Sequence, residues 1–168
     1  MRSSFANLGL GLFLALLFAY LIVVPLFRSF RQPIGMLIAF PPALAGVVGL
    51  LYITGTPLSI QALMGSIMVV GITVSYGNLM VDRINTLRAE GMPLEEALTE
   101  GSRQRLRPII MTALTTVLGL LPTAIGLGGS SINEPLALAV IGGTSMAALL
   151  TLFVVPVGYR FFSKPELN

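Results

Sequence analysis

Residues 60–81, IQALMGSIMVVGITVSYGNLMV, form an uncharged apolar run long enough to cross a bilayer as one helix. Four similar runs bring the number of predicted spans to five, at about residues 8–27, 33–54, 60–81, 108–127 and 135–159. Hydrophobic residues make up 55% of the chain and charged residues 10%, too few charges to cover a water-facing surface. The sequence therefore predicts an all-α membrane protein, with a bundle of about five transmembrane helices in one domain, 1–168.

The basic residues predict the orientation of this bundle. Arg28 and Arg31 lie between the first two spans, five arginines lie between the third and fourth, and Arg160 and Lys164 follow the fifth. The other two loops contain neither Lys nor Arg. Because positive charge is retained in the cytoplasm, we expect the N-terminus outside and the C-terminus inside.

The first span is predicted to be a membrane helix that stays in the protein and not a signal peptide that is cleaved. Its apolar run exceeds the about 7–15 residues of a signal-peptide core, and no Ala-x-Ala cleavage site follows it. An N-terminus outside the cytoplasm without a signal sequence suits a piece cut from a longer protein, just after an extracytoplasmic domain.

The loop between the third and fourth spans predicts a short amphipathic helix at the cytoplasmic surface. Pro93 can occupy its first turn, Leu94, Ala97 and Leu98 share one face, and Gly101 ends it. This helix is either a solvated connector or an element that docks against another part of a larger assembly.

Polar groups inside a bilayer are costly, so each is a candidate functional residue. Spacings of four, three and four residues place four positions of the third span on one helix face: Gly71, Ser75, Asn78 and Asp82. The fourth span carries a cluster of hydroxyls, largely on one side with Gly119: Thr112, Thr115, Thr116 and Thr123. Two explanations remain open, namely structural hydrogen bonding within or between helices, and a polar ion pathway.

A neighbouring arrangement of these two spans would bring the polar faces together. Their hydroxyl and amide groups should then bond across the helices, each contributing about 0.5–2 kcal/mol. The sequence alone therefore predicts that Asn78→Leu weakens the bundle modestly.

Small residues and prolines predict contacts and bends within the helices. Ala45 and Gly49 in the second span, and Gly142, Gly143 and Ser145 in the fifth, should allow close approach of helices. We also expect kinks at two sites: Pro41-Pro42 and Pro122.

The absent residue types exclude several functions for this chain. It contains no Cys and no His, which removes disulfides, thiol nucleophiles, histidine acid/base chemistry and Cys/His metal sites. No Asp, Glu, Lys or Arg lies at mid-membrane depth in any span. We therefore expect no enzyme activity, no catalytic or metal-binding residues and no cofactor. The absence of a basic face makes nucleic acid an unsuitable partner.

Several motifs in combination resemble permeases of the resistance–nodulation–division (RND) family, of the hydrophobe/amphiphile, acriflavine-resistance type. RLRPIIMT (105–112) and LGLLP (118–122) resemble entry into the eleventh membrane helix of that family, and GITVSYGNLMVD (71–82) resembles the tenth. The resemblance extends over the connector RAEGMPLEEA (88–97), and over AVIGG (139–143) and FVVPV (153–157) of the twelfth helix. LFRSF (26–30) would join the eighth and ninth helices.

The resemblance implies a trimeric pump of the bacterial inner membrane that exchanges protons for drugs, detergents or other amphiphiles. The proton relay of that family pairs two Asp on the fourth helix with a Lys on the tenth and a hydroxyl on the eleventh. By register, Ser75 stands at the Lys position and Thr112 at the hydroxyl position, while the fourth helix and the substrate-binding porter domains have no counterpart in this chain.

The prediction is therefore the C-terminal membrane segment of a proton-driven RND efflux transporter, inactive alone. Its partners would be the lipid bilayer and the rest of the permease, its N-terminal helices and porter domains. The alternative is a free-standing structural or assembly protein of the membrane without transport activity.

Overall fold

The computed structural model describes residues 2–27, 40–127 and 132–162, and side chains for most of these. In these ranges the chain is helical, without strands, in five helices: α1 Arg2–Phe27, α2 Phe40–Ile53, α3 Ile60–Ala89, α4 Leu94–Ala124 and α5 Glu134–Phe162. The predicted all-α helical bundle is confirmed. Some predictions fall outside the described residues: those for Arg28, Arg31 and Lys164, and for residues 33–39 of the second span.

The described part of the chain contains helices with the length and composition needed to cross a membrane. Three qualify, at Ile60–Ala89, Leu94–Ala124 and Glu134–Val154. Gly9–Leu21 and Phe40–Ile53 are shorter apolar stretches. The protein is thus a multi-pass membrane protein by composition and helix length. The side of the membrane on which each terminus lies stays a prediction.

Helix α5 lies at the centre of the bundle, where it packs against α2, α3 and α4, while α1 packs against α3. The backbone of Gly65 contacts Ala139, and that of Gly143 contacts Val69, so residue numbers rise together and α3 runs parallel to α5. Helix α2 runs antiparallel to α5, since Gly46 lies beside Met146 and Gly142 lies beside Leu50. These alternating directions are those required of successive membrane crossings.

Glycines permit the close approach of α2 and α3 to α5. A Cβ atom at Gly46 would lie 2.5 Å from the carbonyl oxygen of Gly142, and one at Gly143 would lie 2.5 Å from Cγ2 of Val69. The expected role of Gly142 and Gly143 is confirmed. The prediction for α2 was wrong in register, because a Cβ atom at Gly49 would meet nothing within 4 Å and Ala45 is exposed.

Helices α3 and α4 form an antiparallel hairpin that extends beyond the predicted spans. The connector turns at Gly91, whose φ of +88° suits a residue without a Cβ atom. The short helix predicted for the connector is instead the first turns of α4. Gly101 does not end it, because its backbone packs against Ile84 of α3 and the helix continues through Pro108.

The prolines for which a kink is expected lie close to the described ends of their helices. Pro41 and Pro42 follow Phe40, the first described residue of α2. Pro122 lies three residues from the C-terminal cap of α4 at Ile125. The kink expected at Pro41-Pro42 depends on the residues just before Phe40, which lie outside the described residues, so it stays a prediction.

Candidate functional site

The polar face of α3 lies on the outside of the bundle. Ser75 and Asp82 are exposed, and a Cβ atom at Gly71 would meet nothing within 4 Å. Asn78 lies at the edge of this face, where it is half-buried and its Oδ1 atom has no hydrogen-bond partner among the described residues. From sequence, the polar faces of the third and fourth spans were expected to meet; within this chain Ser75 is uncovered.

The hydroxyls of α4 bond to their own helix. Thr112 Oγ1 donates to the carbonyl oxygen of Pro108 at 2.9 Å, Thr115 Oγ1 to that of Met111 at 2.9 Å, and Thr116 Oγ1 to that of Thr112 at 2.9 Å. This is the back-bonded arrangement that sequence reasoning left open. Among the described residues these hydroxyls form no hydrogen bond to α3, and Ser75, Thr112 and Thr115 all lie on exposed positions.

The antiparallel pairing of α3 with α4 places the two polar sets at similar depth. Arg83 Nε donates to Gln104 Oε1 at 2.6 Å, and the backbone of Gly101 contacts Ile84. These two contacts set the register of the antiparallel helices. With a rise of about 1.5 Å per residue, Ser75 of α3 and Thr112 of α4 then lie within about 3 Å of the same height along the helix axes. We call the six positions of this region the polar seam: Ser75, Asn78, Asp82, Thr112, Thr115 and Thr116.

Helix α4 is the least covered of the membrane-length helices. In the apolar stretch of α4 that is long enough to cross a membrane, only 11% of the residues are buried, against 44% in the corresponding stretch of α3 and 56% in that of α5. Its exposed surface has two parts. One is a stripe of large apolar side chains that includes Leu114 and Leu118, and the other carries Thr112, Thr115 and the open position Gly119. The first suits lipid, whereas the second is small and polar and suits another helix.

Sequence reasoning missed several buried polar side chains. Besides Asn78, four buried polar groups have no hydrogen-bond partner in the part of the chain that the structure describes: the hydroxyls of Tyr76, Thr144 and Thr151 and the Nε atom of Arg105. Thr144 and Thr151 are both fully buried and lie seven residues apart, on one face of α5. That spacing was the available signal, but this part of α5 was attributed from sequence to packing alone.

The chemistry of the polar seam is limited to hydrogen bonding within the membrane. Ser, Thr and Asn side chains donate and accept hydrogen bonds but do not titrate in the accessible range. Asp82 is the one carboxylate of the seam, and it lies in the last two turns of α3, toward the connector. Proton binding at mid-membrane depth would therefore require an acid from outside this chain.

Comparison with known proteins places this arrangement in a family. The AcrB/AcrD/AcrF family matches residues 2–163. The chain is 38% identical over 163 residues to the swarming motility protein SwrC of Bacillus subtilis, covering 96% of this chain and 16% of that protein. It is also 38% identical over 167 residues to the cobalt-zinc-cadmium resistance protein CzcA of Cupriavidus metallidurans, covering 99% and 16% respectively.

The chain is also similar to a multidrug resistance protein and to a heavy metal efflux pump of known structure. The multidrug resistance protein MdtC of Erwinia tasmaniensis is 38% identical over 147 residues, 86% of this chain and 14% of that protein. A crystal structure of a heavy metal efflux pump superposes with a TM-score of 0.80 at 32% identity, over 94% of this chain and 15% of that one. The chain thus spans about one sixth of the length of these relatives. With helices in the matching order and identity over nearly its whole length, the chain belongs to the AcrB/AcrD/AcrF family of RND efflux permeases.

Proposed function

We propose that this chain is the C-terminal membrane segment of a proton-driven efflux permease, and that it transports only together with the remaining helices and porter domains. The observation that carries the proposal is the uncovered polar face of α3 and α4, with Ser75 and Thr112 exposed in helices that belong in a membrane. Polar groups at this depth need protein rather than lipid around them. A trimeric assembly in the bacterial inner membrane is part of the same proposal.

The seam would serve this transporter by receiving a helix that carries acidic side chains. The acids would bind and release the proton, while the Thr112 hydroxyl would hydrogen-bond to whichever carboxylate is charged. Its present bond to the Pro108 carbonyl, at 2.9 Å, uses only the hydroxyl proton, so the oxygen is still able to accept. Ser75 would lie at a similar level across the hairpin.

The proposed cargo is an amphiphile such as a drug or detergent, as the resemblance implies. A metal cation is the second candidate, favoured by 38% identity to CzcA and by the 0.80 TM-score to a heavy metal efflux pump. Relatives of both kinds match the same membrane segment, so the segment would provide coupling for either cargo.

The test is transport with and without the missing parts. Cells without other RND pumps would express this chain alone, or together with an RND N-terminal portion that carries the porter domains. We expect dye or Zn²⁺ efflux, abolished by an uncoupler, only from the pair. Thr112→Val should lower the rate of the pair, whereas Thr123→Val, near the outer end of the same helix, should not.

Two outcomes would contradict the proposal. Uncoupler-sensitive efflux from the chain alone would show that no further acid is needed. Failure of the pair to transport, although the two parts co-purify, would favour the free-standing assembly protein instead.

A further inference from the structure

An exposed stripe on α4 changes from basic to apolar side chains where the helix enters the predicted membrane span. Spacings of three or four residues place its members on one side of the helix: Arg103, Arg107, Ile110, Leu114, Leu118 and Leu121. The apolar members are well exposed, with Leu114 at 54% and Leu118 at 64%. This stripe is separate from the side that carries Thr112 and Thr115, and therefore from the polar seam.

The two arginines at the head of the stripe are exposed and have no acidic partner among the described residues. The nearest glutamate on the helix, Glu100, instead accepts a hydrogen bond from Gln104 at 2.8 Å. Arg105, between them in sequence, is turned the other way, with its Nε atom buried. Arg103 and Arg107 are thus free to bind an external anion.

We propose that this stripe, headed by Arg103 and Arg107, binds an anionic phospholipid. Positions four apart on a helix have Cβ atoms about 5–6 Å from each other, close enough for two guanidinium groups to contact one phosphate. Planar guanidinium groups match phosphate geometry with paired hydrogen bonds. The acyl chains lie along Ile110, Leu114 and Leu118, because Pro108 marks the start of the predicted span.

The lipid, rather than a free phosphate, is the occupant that the charge pattern favours. The glutamates of α4 lie farther from the membrane than the arginines, and the apolar side chains lie on the other side. This order of acidic, basic and apolar residues along one helix matches the order of cytosol, headgroups and hydrocarbon. The inference needs only that the chain lies in a membrane, and is independent of the proposed transport.

The experiment measures lipid binding to the whole 168-residue chain, purified in a neutral detergent. Native mass spectrometry would quantify retained phosphatidylglycerol and, separately, phosphatidylcholine. We expect preferential binding of phosphatidylglycerol, weakened about fivefold by Arg103→Gln or Arg107→Gln. Arg88→Gln, which removes the same charge from the end of α3, should bind as the unmodified chain does.

Three results would overturn the proposal. These are equal retention of the two lipids, an equal loss in Arg88→Gln, and full competition by millimolar inorganic phosphate. If the glutamine variants do not fold, the unmodified chain still decides the question. Its preference for phosphatidylglycerol should fall as salt is raised, and a preference independent of salt would contradict binding by these arginines.

Discussion

Asn78 illustrates how a single buried atom determines the effect of a substitution. Its Oδ1 atom is buried and has no partner in the described part of the chain. An unpaired buried acceptor costs about 1–3 kcal/mol. For the chain alone, Asn78→Leu should therefore leave the Tm unchanged or raise it, opposite to the modest loss predicted from sequence, which assumed a bond across the helices.

Thr73 supplies the control for this prediction on the same helix. Its hydroxyl is buried and donates to the carbonyl oxygen of Val69 at 2.7 Å. Thr73→Val removes a hydrogen bond that exists, so it should lower stability by about 0.5–1.5 kcal/mol. Thermal unfolding in micelles, followed by circular dichroism, compares the two. A clear drop in Tm for Asn78→Leu would show that the amide is paired after all.

At the scale of elements, the contact between α2 and α5 depends on glycine at one register. A methyl group at Gly46 would lie 2.5 Å from the carbonyl oxygen of Gly142, where the neighbouring atom is backbone and cannot rotate away. Gly46→Ala should separate the helices and destabilise the bundle by about 1–3 kcal/mol. The measurement is again the Tm of the purified chain.

Gly49, one turn along the same helix, is the matched control. A Cβ atom there would have no neighbour within 4 Å, so Gly49→Ala should be neutral or slightly stabilising. Equal Tm values for the two variants would mean that α2 does not pack on α5 as described.

At the scale of the whole molecule, the uncovered seam predicts dependence on a partner. A Lys at position 75 would place an unpaired charge within the membrane, which costs several kcal/mol. Ser75→Lys should therefore lower expression and Tm in the chain alone. Co-expression with an RND N-terminal portion that carries the Asp pair should restore both.

The lipid-facing stripe offers a control at similar depth. Leu114→Lys introduces the same charge at a position that is 54% exposed and lies on the apolar side of α4. No rescue by the partner is expected there. Rescue of both variants, or of neither, would show that Ser75 does not face the acidic helix.

Topology is tested by labelling single cysteines, since the chain has no native cysteine. Thr99 and Asn133 are both exposed. Thr99 lies in the first turns of α4, next to the connector, whereas Asn133 directly precedes α5, after the other end of α4. In intact cells, an impermeant thiol reagent should reach a cysteine at position 133 and not one at position 99. The reverse pattern would reject the N-outside orientation.

Much of the fold was predictable because each membrane span is one continuous apolar segment of the sequence. A bilayer leaves no water for the backbone, so an uncharged run such as 60–81 has to be helical whatever surrounds it. The same reasoning located the small residues Gly142 and Gly143 and the polar face that includes Ser75. It placed the helix boundary at Gly101 wrongly, since a glycine that ends a helix and one that packs against Ile84 look alike in sequence.

The sequence by itself determined the class of protein, the helices and the polar positions, because each depends on local composition and on the 3.6-residue period. Only the tertiary structure decided which partner each face meets. It selected Gly46 over Gly49 at the contact of α2 with α5, and it left Ser75 outside the bundle. The spacing of residues predicts which side chains share a helix face. Which helix that face contacts depends on the packing of segments distant in sequence, and no local pattern predicts that packing.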